Sequence, residues 1–305
     1  MDSRKALERV ARGARVLIVR LRSLGDCVLT TPAIALLHGA RPDLRIGVVV
    51  EPRFAEVFAG NPAVERILGP SYAEVLAYRA SLTLNLHGGT RSMLLTAASL
   101  ARWRAGFAHH KGAALVYNEP IPRAQEVLGE ERTVHTAEHL ASAMFYLGVP
   151  ACEIPRARLY APLPAAREPY AVIHPASAAA YKTWSAAGFV EVAEHIRRTR
   201  GLEPVFIGAG GDDLTPFAAY RTVQGAPLRE AMSLIGGARL FVGNDSGPAH
   251  IAAAYGVPLV VLYGREEHRV IWAPWRAEWA STLCAAEGIH TLEVEEVLAA
   301  VDGMG

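Results

Sequence analysis

The first segment that could carry chemistry follows the apolar run Val16–Val19 and ends in Ser23-Leu24-Gly25-Asp26. A carboxylate at the carboxyl end of a buried strand can act as a general base toward a hydroxyl, and Gly25 would let a substrate approach the backbone closely. Pro32 is typical of the first turn of a helix, which predicts that the following helix opens there. A capping role for Asp26 fits the same pattern, and the spacing does not separate the two interpretations.

A second segment runs from His174 to Ser185 and also follows an apolar run. Its Lys182 suits a contact with phosphate, Trp184 suits a packing wall, and Ser185 suits the N-cap of the next helix. A solvated lysine beside a tryptophan that packs the helix onto the sheet is the alternative.

The third segment, residues 243–250, reads Gly-Asn-Asp-Ser-Gly-Pro-Ala-His after the run Leu240–Val242. Asp245 or Ser246 can cap the helix that begins here, which leaves N–H groups near Ser246 and Gly247 free to bind an anion. A helix N-terminus binds phosphate through such oriented donors and through its dipole. An ordinary connection between a strand and a helix is the alternative, although glycines on both sides of an Asp-Ser pair disfavour it.

The fourth segment, residues 208–213, reads Gly-Ala-Gly-Gly-Asp-Asp after the run Val205–Ile207. It resembles a dinucleotide-binding fingerprint but places Asp213 where the third glycine belongs. Asp212 or Asp213 could instead bind the hydroxyl pair of a ribose, and a simple polar turn explains the segment equally well.

Several patterns that mark other enzymes do not occur. No two of the seven aspartates have a single residue between them, so an Asp-x-Asp clamp for a metal-bound nucleotide is excluded. The chain also lacks GxxxxGK[ST], HExxH and GxSxG, which disfavours P-loop nucleotidases, zinc peptidases and α/β hydrolases. We therefore expect neither a metal nor a resident cofactor.

Composition narrows the class of protein. The chain has 305 residues, 51% of them hydrophobic, which is enough for two domains with buried cores. A net charge of +1 argues against a nucleic-acid partner. Three widely spaced cysteines and the lack of a signal peptide or an apolar span indicate a reducing cytoplasm, and a peripheral membrane contact stays open.

Apolar runs of strand length alternate with longer amphipathic segments, which predicts parallel sheets covered by helices on both faces. The predicted strands are Val16–Val19, Ile46–Val50, Leu82–Leu86, Ala171–Ile173, Val205–Ile207, Leu240–Val242 and Leu259–Leu262. The predicted helices include Pro32–His38, Thr90–Leu100, Thr136–Leu147 and Phe189–Thr199.

A proline-rich stretch without periodicity, residues 162–169, predicts a linker between two domains. The domains would span residues 1–161 and 170–305. Two such α/β domains are expected to face each other across a central cleft lined by the carboxyl ends of their strands, where open sheets bind ligands.

Together these segments resemble glycosyltransferase family 9, the heptosyltransferases of lipopolysaccharide core assembly, from about Arg15 to about Val301. Residues 20–32 are similar to the family's opening segment, in which a strand is followed by Ser-x-Gly-Asp and a proline. Residues 84–92 are similar to its Gln-Gly turn and the Arg-Ser helix after it, with His87 in place of glutamine. Its Lys-x-Trp-Pro matches residues 182–185 with Ser185 in place of proline, and its Gly-x-Asp-Ser/Thr-Gly-x-x-His matches residues 243–250.

The resemblance implies a GT-B fold of two Rossmann-like domains, with the acceptor on the first and the nucleotide-sugar on the second. It implies an inverting, metal-independent transfer, commonly from ADP-heptose to a glycan or lipid-linked acceptor, at the cytoplasmic face of the inner membrane. Asp26 would deprotonate the acceptor hydroxyl. The implied donor-binding residues are Ser23, Gly25, Lys182, Asp212, Asp213, Asp245, Ser246, Gly247 and His250, and the implied acceptor residues are Arg22, His87 and Arg91.

Three other functions are considered beside this one. A nucleotide-sugar epimerase of the same fold would convert the donor alone, without an acceptor. A non-catalytic nucleotide-sugar-binding protein is disfavoured by the presence of Asp26. A nicotinamide-dependent oxidoreductase is disfavoured by Asp213 in the broken fingerprint.

Overall fold

The computed structural model describes residues 5–163, 168–177 and 179–304. The chain divides into two compact units between Tyr160 and Ala161. The predicted linker, residues 162–169, follows this division, and its residues 164–167 lie outside the described part. Within the described ranges no helix has the length and apolar character needed to cross a lipid bilayer.

The first unit is built on a parallel sheet of six strands in the order β3-β2-β1-β4-β5-β6. Val19 at the end of β1 pairs with Val49 of β2 and with Asn85 of β4, so the loops after these three strands leave one edge of the sheet. The strands are β1 Arg15–Val19, β2 Arg45–Val49, β3 Arg66–Leu68, β4 Leu82–Asn85, β5 Trp103–Phe107 and β6 Glu119–Ile121.

Helices cover both faces of this sheet. The chain crosses from β1 to β2 in one direction and from β4 to β6 in the other, so right-handed connections place the intervening helices on opposite faces. Accordingly, α2 packs on α7, whereas α3 packs on α4 and α4 on α5. The helices are α1 Ala6–Arg9, α2 Leu24–Ala40, α3 Tyr72–Tyr78, α4 Thr90–Ala98, α5 Ala113–Val116, α6 Ala124–Leu128 and α7 Thr136–Leu147, with a 3₁₀ helix at Pro52–Phe58.

The second unit has the same plan, with strand order β12-β11-β10-β7-β8-β9 and all pairs parallel. Its strands are β7 Tyr170–His174, β8 Glu203–Gly208, β9 Arg221–Gln224, β10 Leu240–Asn244, β11 Leu259–Tyr263 and β12 Ala280–Cys284. Its helices are α8 Ala186–Arg200, α9 Leu228–Gly236, α10 Gly247–Tyr255, α11 Glu266–Trp272 and α12 Val294–Asp302, with 3₁₀ turns at Ala180–Lys182, Thr215–Phe217 and Ile289–Thr291.

The predicted α/β class with parallel sheets is confirmed, and each predicted strand is present with ends within two residues of the prediction. The predicted helix start at Pro32 is wrong, because α2 begins at Leu24 and holds Pro32 in its interior. Proline has no N–H to donate to the Val28 carbonyl one turn earlier. The Thr31 hydroxyl donates to that carbonyl instead, at 2.8 Å, which satisfies the group that Pro32 leaves without its usual partner.

Candidate functional site

Asp26 lies in the first turn of α2, next to a buried cation. Its Oδ2 is 3.6 Å from Nη1 of Arg20, whose side chain is almost completely buried, and it accepts a hydrogen bond of 3.4 Å from the Ser23 hydroxyl. The Asp26 side chain keeps 29% of its surface exposed. The carboxylate is therefore accessible and lies beside a positive neighbour at the N-terminal end of a helix.

The capping interpretation of Asp26 is wrong. The N-cap residue of α2 is Ser23, and Gly25 and Asp26 both belong to the helix itself. The side chain of Ser23 makes no capping bond, and its hydroxyl donates to the Asp26 carboxylate instead. The Asp26 carboxylate therefore does not cap the helix.

The three predicted acceptor residues line one cavity of about 180 Å³ at the carboxyl edge of the first sheet. Arg22 follows β1, His87 follows β4, and Arg91 lies in the first turn of α4. The lining residues are Leu21, Arg22, Glu51, His87, Gly88, Gly89, Arg91 and Ser92. We call this cavity the first-unit pocket.

Glu51 belongs to this pocket and was not predicted from the sequence. It follows β2, and its carboxylate lies 2.8 Å from Arg53 and 3.8 Å from Arg91. In the sequence, the signal that could have indicated Glu51 is its position as an acidic residue directly after the apolar run 48–50. The pocket therefore offers both a carboxylate and guanidinium groups to a ligand, a set suited to sugar hydroxyls and to anionic substituents.

Asn85, the last residue of β4, holds the loop that carries His87. The Asn85 side-chain oxygen accepts hydrogen bonds from the backbone N–H groups of His87 and Gly88, and its amide donates to Ser92 and to Tyr117. Gly88 has φ of +75°, and a Cβ there would overlap the His110 ring. Burial, together with Arg20, lowers the pKa of His87, so this imidazole is neutral near neutral pH.

The rings of Phe107, His109, His110 and His139 form one cluster, in which His109 and His139 contact Phe107 and His110 contacts His109. The His139 ring stacks on Phe107 at 3.9 Å, and burial lowers its pKa to about 4. The described ranges contain no group of three or more His, Cys, Asp or Glu side chains placed to hold a metal ion.

In the second unit, Lys182 and Asp245 form an ion pair, with 2.6 Å between Nζ and Oδ2. The Asp245 side chain is 6% exposed, and the Lys182 ammonium also lies over the Trp272 ring at 5.4 Å. The interpretation of Lys182 as a solvated surface lysine is therefore wrong. Trp184 does pack as expected: it is buried, and its indole donates to the Leu292 carbonyl.

The N-terminus of α10 carries no side-chain cap, contrary to the expectation that Asp245 or Ser246 would supply one. Asp245 is engaged by Lys182, and the Ser246 hydroxyl is 3.1 Å from Nδ1 of His174. Pro248 has no N–H and the Ala249 N–H donates to the Ser246 carbonyl, which leaves the Gly247 N–H in the first turn to bind an anion. His250 is buried on the same helix.

Glycines allow the close packing behind this helix terminus. A Cβ on Gly243 would come within 2.8 Å of the His174 carbonyl oxygen, and a Cβ on Gly264 would overlap the Tyr181 carbonyl oxygen. Gly264 follows β11, and Tyr181 precedes the lysine of the ion pair. The position of Lys182 therefore depends on the absence of a side chain at residue 264.

Asp212 and Asp213 close the turn after β8. The carboxylate of Asp212 accepts a bond of 2.7 Å from the Ala209 N–H, and that of Asp213 accepts one of 2.9 Å from the Thr215 N–H. Both also line a cavity of about 350 Å³ that is shared with Ser177, Thr183 and other residues after β7. We call it the second-unit pocket, and its volume suits a small ligand.

His268 on α11 was not predicted from the sequence. Its Nδ1 is 3.9 Å from the Asp245 carboxylate, and its ring meets the Trp272 ring edge-on at 5.2 Å. Burial and the nearby Lys182 lower its pKa. Nothing in the segment around it matches a pattern, so only the folded structure brings it to the ion pair.

Comparison with known proteins identifies the family. Residues 73–298 match the model of glycosyltransferase family 9 (heptosyltransferase). The chain is 26% identical over 295 residues to lipopolysaccharide heptosyltransferase 3 of Escherichia coli, covering 84% of each chain. It is 27% identical over 286 residues to lipopolysaccharide heptosyltransferase 1 of Pseudomonas aeruginosa, covering 82% of this chain and 78% of that protein.

Solved structures agree on the fold. The glycosyl transferase family 9 protein of Veillonella parvula superposes with a TM-score of 0.84 at 21% identity, covering 95% of this chain and 97% of that one. Heptosyltransferase WaaC of E. coli, solved with ADP, gives a TM-score of 0.78 at 21% identity and covers 95% and 100%. The predicted GT-B class of two Rossmann-like parallel-sheet domains is confirmed.

Proposed function

Because the chain belongs to glycosyltransferase family 9, we propose that it moves a heptose from ADP-heptose to a hydroxyl of a lipopolysaccharide-core-like acceptor, with inversion at the anomeric carbon. The relatives' names support heptose as the sugar and lipopolysaccharide as the acceptor class. The structure of WaaC with ADP supports an adenine nucleotide. Glycosyl transfer itself follows from the family.

The observation that carries the proposal is the uncapped N-terminus of α10 beside Lys182. A helix N-terminus with a free N–H at Gly247 and a nearby ammonium ion are suited to a diphosphate, which gains negative charge as it leaves the sugar. Ser246, Gly247 and Lys182 would bind its oxygens, with Asp245 holding the lysine in place until the donor arrives. These donors would neutralise the leaving group, so the transfer needs no divalent cation.

The second-unit pocket would hold the nucleoside. Asp212 and Asp213 each use one carboxylate oxygen to close their own turn, and the second oxygen of either could accept hydrogen bonds from the ribose hydroxyls. His250 and Gly25 complete the donor set that the family resemblance implies.

Asp26 would act as the general base. The acceptor hydroxyl attacks the anomeric carbon as the bond from that carbon to the diphosphate oxygen breaks, and its proton passes to the Asp26 carboxylate. The Ser23 hydroxyl and the Arg20 guanidinium keep this carboxylate oriented. The first-unit pocket, with Arg22, His87, Arg91 and Glu51, would bind the acceptor, a glycan or lipid-linked glycan at the cytoplasmic face of the inner membrane.

The test is a transfer assay with ADP-heptose and heptose-free lipopolysaccharide in buffer that contains EDTA. We expect one heptose to be added, with the anomeric configuration opposite to that of the donor. Retained configuration would refute the inverting mechanism, and activity lost in EDTA but restored by Mg²⁺ would refute metal independence. Conversion of ADP-heptose without an acceptor would favour an epimerase instead.

A further inference from the structure

His268, the third residue of α11, lies beside the ion pair of the second unit with one ring nitrogen unused. Its Nδ1 is buried and has no hydrogen-bond partner among the residues that the structure describes. That nitrogen is 3.9 Å from Oδ2 of Asp245, the same oxygen that accepts a hydrogen bond of 2.6 Å from Lys182. A buried polar atom without a partner is rare in a folded protein, so this nitrogen calls for an explanation.

Aromatic neighbours hold the His268 ring in this position. The ring meets Trp272 edge-on at 5.2 Å and Tyr181 at 5.8 Å between centroids, and the side chain is only 14% exposed. A separation of 3.9 Å is within the range of an ion pair but too long for a hydrogen bond. The ring therefore stays beside the Asp245 carboxylate without bonding to it while Lys182 occupies the oxygen.

The charge around His268 is balanced between the two signs. The charged groups that act on it are the positive Lys182 and Arg265 and the negative Asp245 and Glu267. Tyr263 of β11 and Cys284 of β12, the strands packed against α11, have pKa values raised by burial and stay neutral. Burial and then Lys182 lower the pKa of His268, so the imidazole is neutral near neutral pH while the lysine is beside it.

We infer that His268 is a positioning residue, which becomes charged and pairs with Asp245 when Lys182 turns from this carboxylate to the diphosphate of the donor. This rests on the proposed function, in which the lysine binds diphosphate oxygens. The Asp245 side chain is 6% exposed, and a buried carboxylate that loses its cation is costly. His268 takes up a proton from the solvent and donates from Nδ1 to the Asp245 carboxylate, which stabilises the complex with the diphosphate.

Binding of the diphosphate should raise the pKa of His268. The negative phosphate oxygens neutralise the lysine charge that repels the imidazolium form, and the Asp245 carboxylate becomes free to pair with it. A ligand whose binding raises a pKa binds more tightly as the pH falls, because the complex holds more protons than the free protein. A rise of about one pH unit in the pKa corresponds to about tenfold in affinity at a pH below both values.

Calorimetry of ADP binding to the full chain, in buffers of different ionisation enthalpy, measures the protons taken up per ADP. At pH 6.5 we expect the parent to take up about 0.3 proton or more beyond the uptake of His268→Gln, since the titration of ADP itself is common to both. His268→Gln should bind ADP about tenfold more weakly than the parent at pH 6.0, and within about twofold of it at pH 8.5.

Another histidine of the second unit supplies the matched control. His195 pairs with Asp302, and His195→Gln should match the parent in affinity and in proton uptake. Circular dichroism checks that each variant is folded, and His268→Asn gives a second variant at the same position. Heptose transfer by the parent is measured alongside.

Two outcomes would overturn the inference. Equal proton uptake by the parent and His268→Gln would show that the proton goes to another group. A loss of affinity of the same size at pH 6.0 and pH 8.5 would show that His268 acts only by packing against Trp272. Either result with heptose transfer intact contradicts only this inference, whereas the expected proton uptake without any transfer contradicts only the proposed function. A parent that binds no ADP contradicts both.

Discussion

At the scale of single residues, the side chains proposed to carry the chemistry are held by partners in the same unit. Asp26 accepts from Ser23 and faces Arg20, and Lys182 is paired with Asp245. A polar group with a fixed partner loses little conformational entropy when a ligand arrives. Such a group is already oriented toward the charge that develops in a transition state.

Asp26→Asn should lower kcat by about 10²–10⁴-fold, the usual contribution of a positioned base. The affinity for ADP should stay nearly unchanged, because the substitution keeps the shape of the side chain and leaves the second unit untouched. Steady-state kinetics and calorimetry check this. Asp43→Asn, which removes a carboxylate paired with Arg41 elsewhere in the first unit, is the control. Near-normal turnover of Asp26→Asn would exclude Asp26 as the base.

His174 should make stability fall in mild acid. Burial lowers its pKa to about 4, whereas the unfolded chain has the ordinary value near 6.5. Between these values the unfolded state binds a proton that the folded state does not, so the free energy of unfolding decreases as the pH falls through this window. From pH 7 to pH 5 the loss from this one residue is roughly 2 kcal/mol.

Urea unfolding of the parent and of His174→Gln at pH 7 and pH 5 measures this effect. The difference in the free energy of unfolding between pH 7 and pH 5 should be smaller in the variant. His139, whose pKa is also about 4, still contributes in the variant, so the pH dependence of the free energy of unfolding should not vanish. An unchanged pH dependence in His174→Gln would show that His174 is protonated with the same pKa in both states.

The site residues show what sequence patterns can and cannot supply. The placement of Arg22, His87 and Arg91 in one pocket agrees with their predicted common role, because each follows a strand end or opens a helix at the same sheet edge. Glu51 and His268 were missed because neither belongs to a recognisable pattern. Both lie beside candidate site residues that are distant in sequence, Glu51 next to Arg91 and His268 next to Asp245.

At the scale of elements, the strands near the middle of each sheet were predictable, whereas the edge strands and β5, which lies next to the edge strand β6, were not. The buried strands β1, β10 and β11 are continuous apolar runs, as parallel strands covered on both faces must be. The edge strands β3, β9 and β12 are short or polar, and they exist because an adjacent strand supplies hydrogen bonds. The helix α2 was misjudged at Pro32, since Thr31 compensates for the missing donor.

Gly264→Ala should weaken ADP binding by about tenfold or more without unfolding the protein. The added methyl group would overlap the Tyr181 carbonyl and displace the 3₁₀ turn Ala180–Lys182, which carries the lysine proposed to bind phosphate. Calorimetry with circular dichroism as a folding check measures this. Gly39→Ala adds a methyl group in open space and is the control. Equal ADP affinity in both variants would show that this turn does not position Lys182.

At the scale of the whole molecule, a nearly neutral chain concentrates its charge locally. The net charge is +1, yet every Asp, Glu, Lys or Arg in the stretch 75–118 is a Lys or Arg, and the following stretch is rich in glutamate. Each unit repeats the same six-stranded plan and carries its own set of candidate site residues at the carboxyl edge of its sheet. The alternation of strands and helices made this plan predictable from the sequence.

The most direct test of the account is the affinity of the folded protein for ADP, measured by calorimetry on the parent and on Lys182→Ala and Gly247→Val. Removing the lysine should weaken binding about 10–150-fold, the loss of one charge-assisted hydrogen bond. A branched side chain at Gly247 should obstruct the phosphate oxygens at the start of α10 and weaken binding at least as much. If both variants bind ADP as the parent does, the diphosphate lies elsewhere and the donor site proposed on the second unit is wrong.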